Sequence, residues 1–168
     1  MDNHQDQPVL RDGELRLRPA RLPDDIQLAV PWYSDPEVMR CSEGDADRTY
    51  DAEMIGEMYR YLSEHGELYI IELYTGGDWR PIGDVTLAPG TMPIVIGVPE
   101  YRSRGYGQRA IGLLVDRARQ LGWHELRVKR VYTFNERSRR LFVSLGFVQD
   151  GDEFVDGDLP GWRFVRRL

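Results

Sequence analysis

A strand, a turn and a helix follow one another between residues 92 and 122, and their order narrows the folds open to this chain. Residues 92–98 form a short apolar run that predicts a strand. After the turn, apolar side chains recur at helical spacing, and Gly122 is a natural stop for the helix. Residues 124–134 then predict a second strand, so the region as a whole predicts a strand-helix-strand crossover.

The other segments are assigned from apolar periodicity and from turn-forming residues. Strands are predicted at residues 14–20, 67–74, 81–88, 147–155 and 161–168. Helices are predicted from Asp24 onward, with Pro31 and Pro36 limiting their length, and at residues 50–63 and 135–145. This order favours an α/β (α+β) fold, in which a mixed, mostly antiparallel sheet is flanked by helices and has the crossover at its centre.

Composition argues against several classes of protein. The 168 residues, of which 41% are hydrophobic and 30% charged, suit one globular domain spanning residues 1–168. No apolar run approaches the length of a membrane span, and the polar N-terminus is unlike a secretory signal. The single cysteine, Cys41, excludes an internal disulfide and fits a reducing cytoplasm. Three scattered histidines give no zinc spacing, and a net charge of −6 argues against nucleic-acid binding. We therefore expect a cytoplasmic protein with no metal, no nucleic-acid partner and no membrane partner.

The turn sequence YRSRGYGQRA has the composition of a phosphate-binding site. Gly105 and Gly107 allow a ligand to approach the backbone closely, and N–H groups at the start of a helix attract anions. Arg102, Arg104 and Arg109 add positive charge. The alternative interpretation is an ordinary surface turn with solvated arginines.

The strand before the turn offers a second kind of contact. Gly97 stands near the end of that strand, where a glycine often marks a bulge or a close backbone approach. An amide-bearing ligand could hydrogen-bond there in the manner of an additional strand. A diphosphate on the turn and an amide-rich arm along the strand together describe coenzyme A.

Two motifs in this region resemble those of the GNAT N-acetyltransferase superfamily. YRSRGYGQRAIGLLVDRA is similar to the R/Q-x-x-G-x-G/A segment of that family. YTFNERSRRLFVSLGF is similar to its second signature, which has an asparagine, a small residue three positions later and a closing LGF. PWYSDPEVMR resembles the branch that contains ribosomal-protein and aminoglycoside acetyltransferases. Looser similarity covers residues 14–167, which implies a single GNAT domain with its core in that range.

The resemblance implies where acetyl-CoA binds. The strand backbone would pair with the pantetheine arm, the turn would hold the diphosphate, and Asn135 and Ser138 would contact the arm or position the thiol end. The implied cofactor-binding residues are Val95, Ile96, Gly97, Arg102, Ser103, Arg104, Gly105, Tyr106, Gly107, Gln108, Asn135 and Ser138. Asn135 also suits a plain helix cap. Arg137, Arg139 and Arg140 either meet the 3′-phosphate or form a solvated helix face.

The catalytic residues are less well defined by the resemblance. Many family members have a tyrosine seven positions after the motif asparagine as the acid for the leaving thiolate, and this chain has Phe142 there. Water, Ser138 or Tyr132 would then supply the proton. Asp84 is the candidate base because a β-branched strand disfavours aspartate, although an outward, solvated side chain explains it equally well. The reserve candidates for the base are Glu72 and Glu100.

The expected activity is transfer of an acetyl group from acetyl-CoA to a primary amine on a cationic small molecule or a peptide N-terminus, by a monomer or homodimer. Residues 35–57, here called the acidic segment, carry eight acidic and two basic residues. In this family the corresponding helices and loop border the acceptor, so the segment is expected to attract ammonium groups. Trp32 and Tyr33 would add a cation–π surface or pack in the core. The alternative function is a non-catalytic acyl-CoA-binding module on the same fold, which Phe142 favours slightly.

Overall fold

The computed structural model describes residues 6–168, and in that range it contains nine strands and five α-helices. The strands are β1 (Leu10–Asp12), β2 (Leu15–Pro19), β3 (Glu67–Thr75), β4 (Asp78–Leu87), β5 (Ile94–Ile96), β6 (Glu125–Tyr132), β7 (Val148–Gln149), β8 (Phe154–Asp156) and β9 (Leu159–Arg167). The α-helices are α1 (Ile26–Ala29), α2 (Pro36–Glu43), α3 (Ala52–His65), α4 (Tyr106–Gln120) and α5 (Glu136–Ser144). None of the helices in this range has the length and apolar character that a bilayer crossing requires.

The strands form two antiparallel sheets, and α4 connects one to the other. The first sheet has the order β1-β2-β3-β4-β5, and in the second sheet β9 pairs with β6, β7 and β8. Although α4 leads from β5 to β6, no hydrogen-bonded ladder joins these two strands within the described residues. A cleft therefore opens between β5 and β6. The predicted fold with a strand-helix-strand crossover at its centre is confirmed.

Helices cover both faces of the first sheet. The predicted apolar stripe of α4 packs on one face, where Ile71 is fully buried. Helices α1, α2 and α3 cover the other face, and there Tyr59 of α3 packs near Ile70 and Val95. Asp84 belongs to this second face because it lies opposite both Ile70 and Val95 in the antiparallel ladders. The pleat of the sheet thus directs the ionisable side chain of Asp84 toward the face that α1, α2 and α3 cover.

Three parts of the predicted element order are corrected by the structure. The prediction omits β1, whose three residues are too few to show an alternating pattern. The first helical region is divided into α1, a 3₁₀ turn at Trp32–Ser34 and α2, because Pro31 and Pro36 interrupt it. Asp35 caps α2 by accepting a hydrogen bond from Glu37 N at 2.9 Å. The closing pair of strands is a set of three, since β7 and β8 both pair with β9.

Candidate functional site

The cleft between β5 and β6 has a volume of about 1120 Å³ and extends from the turn before α4 to residues of α3. Most of the predicted site residues line it: Asp84, Val95, Ile96, Arg102, Ser103, Gly105, Tyr106, Gly107, Gln108, Asn135 and Ser138. Gly97, Arg104 and Tyr132 are not among the lining residues of the described chain. The structure thus brings both sequence motifs and Asp84 to one cavity.

The turn at the start of α4 presents backbone donors to the cleft. Ser103 and Gly105 have positive φ angles of 58° and 84°, and Gly105 is the residue immediately before the helix. Arg109 N donates to Gly105 O at 3.1 Å, which begins the helical ladder. The N–H groups of residues 106–108 therefore have no acceptor within the helix. This arrangement suits an anion, because the donors and the helix dipole act at the same place.

Arg102 joins β5 to α2 rather than pointing at the turn. Its Nε donates to Ile96 O at 2.8 Å, and its terminal nitrogens pair with Asp35 at 2.9 Å and with Glu37 at 3.2 Å. The side chain is 9% exposed, so these contacts hold it in place. The expected direct contact of Arg102 with a diphosphate is corrected to a structural bridge between two walls of the cleft.

The other two arginines of the turn bring less charge to the cleft than the sequence suggested. Arg109 pairs with Asp12 at 2.8 Å and with Glu14, beside the first two strands. Arg104 is exposed and lies outside the residues that line the cleft. An anion at the turn would therefore be held mainly by backbone N–H groups.

The edge of β5 that faces the cleft belongs to Ile94 and Ile96. Gly97 N donates to Ile82 O at 2.7 Å, so its backbone faces β4. Since successive residues of a strand direct their backbone groups to opposite edges, Val95 faces β4 as well. The backbone groups of Val95 and Gly97 are thus engaged with β4, which corrects the expectation that they contact a pantetheine arm and leaves Ile94 and Ile96 at the open edge.

Gly97 is needed for a bulge and for packing. Gly97 N and Val98 N both donate to Ile82 O, so two residues of one strand oppose one of the other and the predicted bulge is present. A Cβ atom at Gly97 would overlap the indole ring of Trp32. Trp32 is only 5% exposed, so it packs in the core and does not form a cation–π surface. The close approach to Gly97 is thus made by the protein itself.

The start of α5 also borders the cleft. Asn135 caps the helix as predicted, because its side chain accepts from Ser138 N at 3.2 Å, and both residues line the cleft. Arg137 and Arg140 line it too, whereas Arg139 lies outside the lining set. The interpretation as a solvated helix face therefore suits Arg139 best.

Phe142 lies where the cleft meets the core. It lines the cleft but is only 2% exposed, with its ring centroid 5.3 Å from that of Phe147 and 6.5 Å from that of Phe164. This position has no hydroxyl group, so it supplies no proton to a leaving thiolate.

Asp84 is buried between two tyrosine hydroxyls in the cleft wall. Its carboxylate accepts hydrogen bonds from Tyr33 Oη at 2.9 Å and from Tyr59 Oη at 2.6 Å, and the residue is 3% exposed. Burial raises the pKa of Asp84 to about 6, although the bonds from Tyr59 and Tyr33 act in the opposite direction. The alternative prediction, that the side chain of Asp84 points outward into solvent, is wrong. A buried carboxyl that titrates near neutral pH has the property that a general base requires.

Tyr33 connects Asp84 to the cleft. Tyr33 is 5% exposed and lines the cleft, whereas Tyr59 is fully buried and lies outside the lining set of the described residues. Burial and the neighbouring Asp84 carboxylate raise the pKa of Tyr33 well above 10, so its hydroxyl stays protonated and donates to Asp84. Sequence reasoning missed both tyrosines as partners of Asp84, since they lie 51 and 25 positions away from it along the chain.

The other catalytic candidates have different surroundings. Tyr132 Oη donates to Asp156 at 3.1 Å, and burial raises the pKa of Tyr132. Glu72 is 4% exposed and pairs with two arginines of β2, so it is poorly placed to accept a proton from a substrate. Glu100 pairs with Arg80 at the surface. Within residues 6–168, no three histidine, cysteine, aspartate or glutamate side chains lie together as metal ligands would.

The acidic segment is partly neutralised by local contacts. Glu37 and Glu43 both line the cleft. Glu37 pairs with Arg102 of the turn and with Arg137 of α5, and the carboxylate of Glu43 lies 3.8 Å from the guanidinium of Arg48. Asp51 caps α3 by accepting from Met54 N. The pull of this segment on an ammonium group is therefore weaker than its composition suggests.

A comparison with protein families matches residues 14–148 to a model described as an acetyltransferase (GNAT) domain. The matched range contains Asp84, the turn and the asparagine motif. No curated protein matches the chain significantly.

Solved structures similar to the chain share its fold over nearly the whole length. A domain from Methanocaldococcus jannaschii has a TM-score of 0.78 and 21% identity, and the alignment covers 94% of this chain and 100% of that one. Spermidine N-acetyltransferase from Vibrio cholerae, in complex with CoA and spermine, has a TM-score of 0.75 and 18% identity over 93% and 96% of the two chains. An aminoglycoside acetyltransferase in complex with coenzyme A has a TM-score of 0.73 and 16% identity over 91% and 94%. At these identities the similarity shows a common fold.

Proposed function

Because the chain belongs to the GNAT acetyltransferase family, we propose that it transfers the acetyl group of acetyl-CoA to a primary amine on a cationic small molecule or a peptide N-terminus. One observation carries the proposal: a single cleft joins the N–H groups at the start of α4 to the buried carboxylate of Asp84. The names of the similar spermidine and aminoglycoside acetyltransferases support an amine as the acceptor.

We propose that coenzyme A lies along the cleft. The N–H groups of residues 106–108 would hold the diphosphate. The outer edge of β5, at Ile94 and at the N–H group of Ile96, would pair with the amides of the pantetheine arm, while the Ile96 carbonyl already accepts from Arg102. Asn135 and Ser138 would lie beside the thiol end, since both line the cleft at the start of α5.

The chemistry of transfer needs one proton acceptor and one proton donor. Acetyl-CoA supplies a thioester, whose C–S bond breaks as the neutral amine forms a C–N bond to the carbonyl carbon. Asp84, ionised above its pKa of about 6, accepts the proton that the ammonium group of the acceptor loses to become the attacking neutral amine. Tyr33 can relay this proton, because its hydroxyl already donates to Asp84 while its oxygen can accept from the cleft. After the C–N bond forms, the nitrogen loses a second proton, which water or Ser138 passes to the leaving thiolate, since Phe142 has no hydroxyl group for this transfer.

Release of free coenzyme A tests the proposal. The chain is incubated with acetyl-CoA and a panel of amines, aminoglycosides and peptide N-termini, while free thiol and acetylated product are measured. We expect thiol and acetylated amine in equal amounts, and Asp84→Asn should retain acetyl-CoA binding but lower turnover by about 10²–10⁴-fold. Calorimetric binding of acetyl-CoA without thiol release with any amine would instead support the non-catalytic binding module.

The diphosphate position has its own test. A Cβ atom at Gly107 would lie 2.8 Å from Leu141 Cδ1, so a bulky residue there also disturbs α5. The matched pair is therefore Leu141→Ala alone and Leu141→Ala combined with Gly107→Val. We expect calorimetry to show a large loss of acetyl-CoA affinity only in the double variant, and little change in Arg139→Ala. Equal affinities in the matched pair would refute the assignment.

A further inference from the structure

We propose that the acceptor is a primary amine on an apolar, aliphatic or aromatic body, with its amino group at Asp84 and its body against Val38, Met58 and Leu62. The proposal rests on the acetyltransferase function above and narrows its substrate class. It predicts a single-cation amine as the preferred acceptor, whereas a second ammonium group on the same carbon chain would weaken binding.

The two ends of the cleft differ in chemistry. At one end lie the turn before α4 and the start of α5, where backbone donors and arginines suit phosphates. Another part of the cleft, here called the α3 end, is lined by Met58 and Leu62 of α3. Asp84 lies near the α3 end, because its carboxylate accepts a hydrogen bond from Tyr59 of α3. An acceptor whose nitrogen reaches Asp84 would extend its body toward α3.

The α3 end is lined mainly by apolar side chains. Met58 and Leu62 are four positions apart on α3, so they lie on one face of the helix. Val38 of α2 also lines the cleft and belongs to the same apolar cluster as Met58 and Leu62. Methionine side chains are flexible and fit irregular apolar shapes. This wall can therefore accommodate aliphatic and aromatic bodies of several shapes.

Each carboxylate that lines the cleft already has a partner. Glu37 pairs with arginines, Glu43 lies near Arg48, and Asp84 accepts from two tyrosines. Asp156 pairs with Arg130 at 2.6 Å. A second ammonium group on the acceptor would have to displace one of these partners.

Basic side chains outnumber acidic ones around the cleft. Among the described residues that line the cleft, six are basic and four are acidic: Arg102, Lys129, Arg130, Arg137, Arg140 and Arg163 against Glu37, Glu43, Asp84 and Asp156. This balance suits an anionic cofactor and disfavours a polycationic acceptor. One ammonium group can lose its charge by giving a proton to Asp84, but a second one cannot.

The test compares hexylamine with 1,6-diaminohexane, two acceptors that differ only by the second amino group. We expect kcat/KM to be at least about tenfold higher for hexylamine, and to rise roughly fourfold per methylene along the series from propylamine to hexylamine. A preference for the diamine or for spermidine would overturn this inference and leave the acetyltransferase function intact. Failure of every amine to release coenzyme A would overturn the function itself.

A charge introduced into the apolar wall gives an independent readout. Leu62 is partly buried, so Leu62→Glu should fold and can be checked by circular dichroism. We expect it to shift the preference toward 1,6-diaminohexane, because the new carboxylate can pair with the distal ammonium group. Tyr61→Glu is the matched control, since Tyr61 is 60% exposed on the same helix and lies outside the cleft lining. An unchanged preference in a folded Leu62→Glu variant would place the acceptor elsewhere.

Discussion

Replacing Asp84 with asparagine should make the protein more stable at neutral pH while it abolishes most turnover. The pKa of Asp84 is raised from 3.8 to about 6 in the folded protein, chiefly because burial disfavours the charged carboxylate. The free energy of unfolding is therefore lowered at every pH at which the carboxylate is ionised in the unfolded chain. The penalty is absent below about pH 4, grows as the pH rises through the interval between the two pKa values, and is complete above about pH 6.

The size of this loss of stability follows from the size of the pKa shift of Asp84. Two pKa units correspond to about 3 kcal/mol of lost stability at high pH. Of this loss, roughly 2 kcal/mol falls between about pH 4.5 and about pH 7.5, the range over which the free energy of unfolding can be compared. Asp84→Asn removes the titration but keeps a side-chain oxygen that can accept from Tyr33 and Tyr59. The free energies of unfolding of wild type and variant should therefore diverge by roughly 2 kcal/mol across this interval.

Urea unfolding followed by circular dichroism at several pH values measures this divergence. Comparing the two proteins at each pH cancels the titration of all other groups. Asp152→Asn is a suitable control because it makes the same chemical change at an exposed residue outside the cleft lining. Parallel curves for wild type and Asp84→Asn would show that the carboxyl of Asp84 has no raised pKa, and the case for it as the base would be lost.

Three further predictions concern neighbouring positions. Tyr33→Phe removes a hydrogen bond that lowers the pKa of Asp84, so the acidic limb of kcat/KM should move to higher pH; a limb that stays in place would separate Tyr33 from catalysis. Phe142→Tyr should leave kcat similar or raise it, since it adds one hydroxyl near the expected thiolate, and a large loss of kcat with an unchanged melting temperature would contradict this. Gly97→Ala should destabilise the fold by about 1–3 kcal/mol in urea unfolding, because its Cβ overlaps the Trp32 ring, and wild-type stability would show that the ring can move aside.

The fold was largely predictable because its main signals are local. The apolar spacing of α4 and the glycine after it depend on helical periodicity and on a left-handed backbone angle, which the neighbouring residues alone determine. The cap at Asn135 is equally local, since its partner, Ser138, is three residues away. The division of the first helical region was less predictable, although Pro31 and Pro36 indicated where it would be interrupted.

The candidate site was predicted in outline but not in its contacts. The turn, the strand before it and Asp84 were recognised as parts of one site. Arg102 was assigned to a phosphate because arginine next to glycine is typical of anion sites, yet it pairs with Asp35, 67 positions earlier. Val95 was assigned a ligand contact because sequence does not reveal which edge of a short strand its backbone faces.

The sequence by itself determined most of the helices and strands, the glycines at which α4 and α5 end, and the motif that could receive a phosphate, because each depends on a few consecutive residues. Only the tertiary structure decided what surrounds Asp84. The pKa of that carboxyl depends on burial under α1–α3 and on hydroxyls brought from Tyr33 and Tyr59, which meet it only after the helices pack on the sheet. Electrostatic and packing interactions act through space and not along the chain. Residues far from Asp84 in sequence therefore set the pKa of its carboxyl, although the local pattern had already indicated the strand in which it lies.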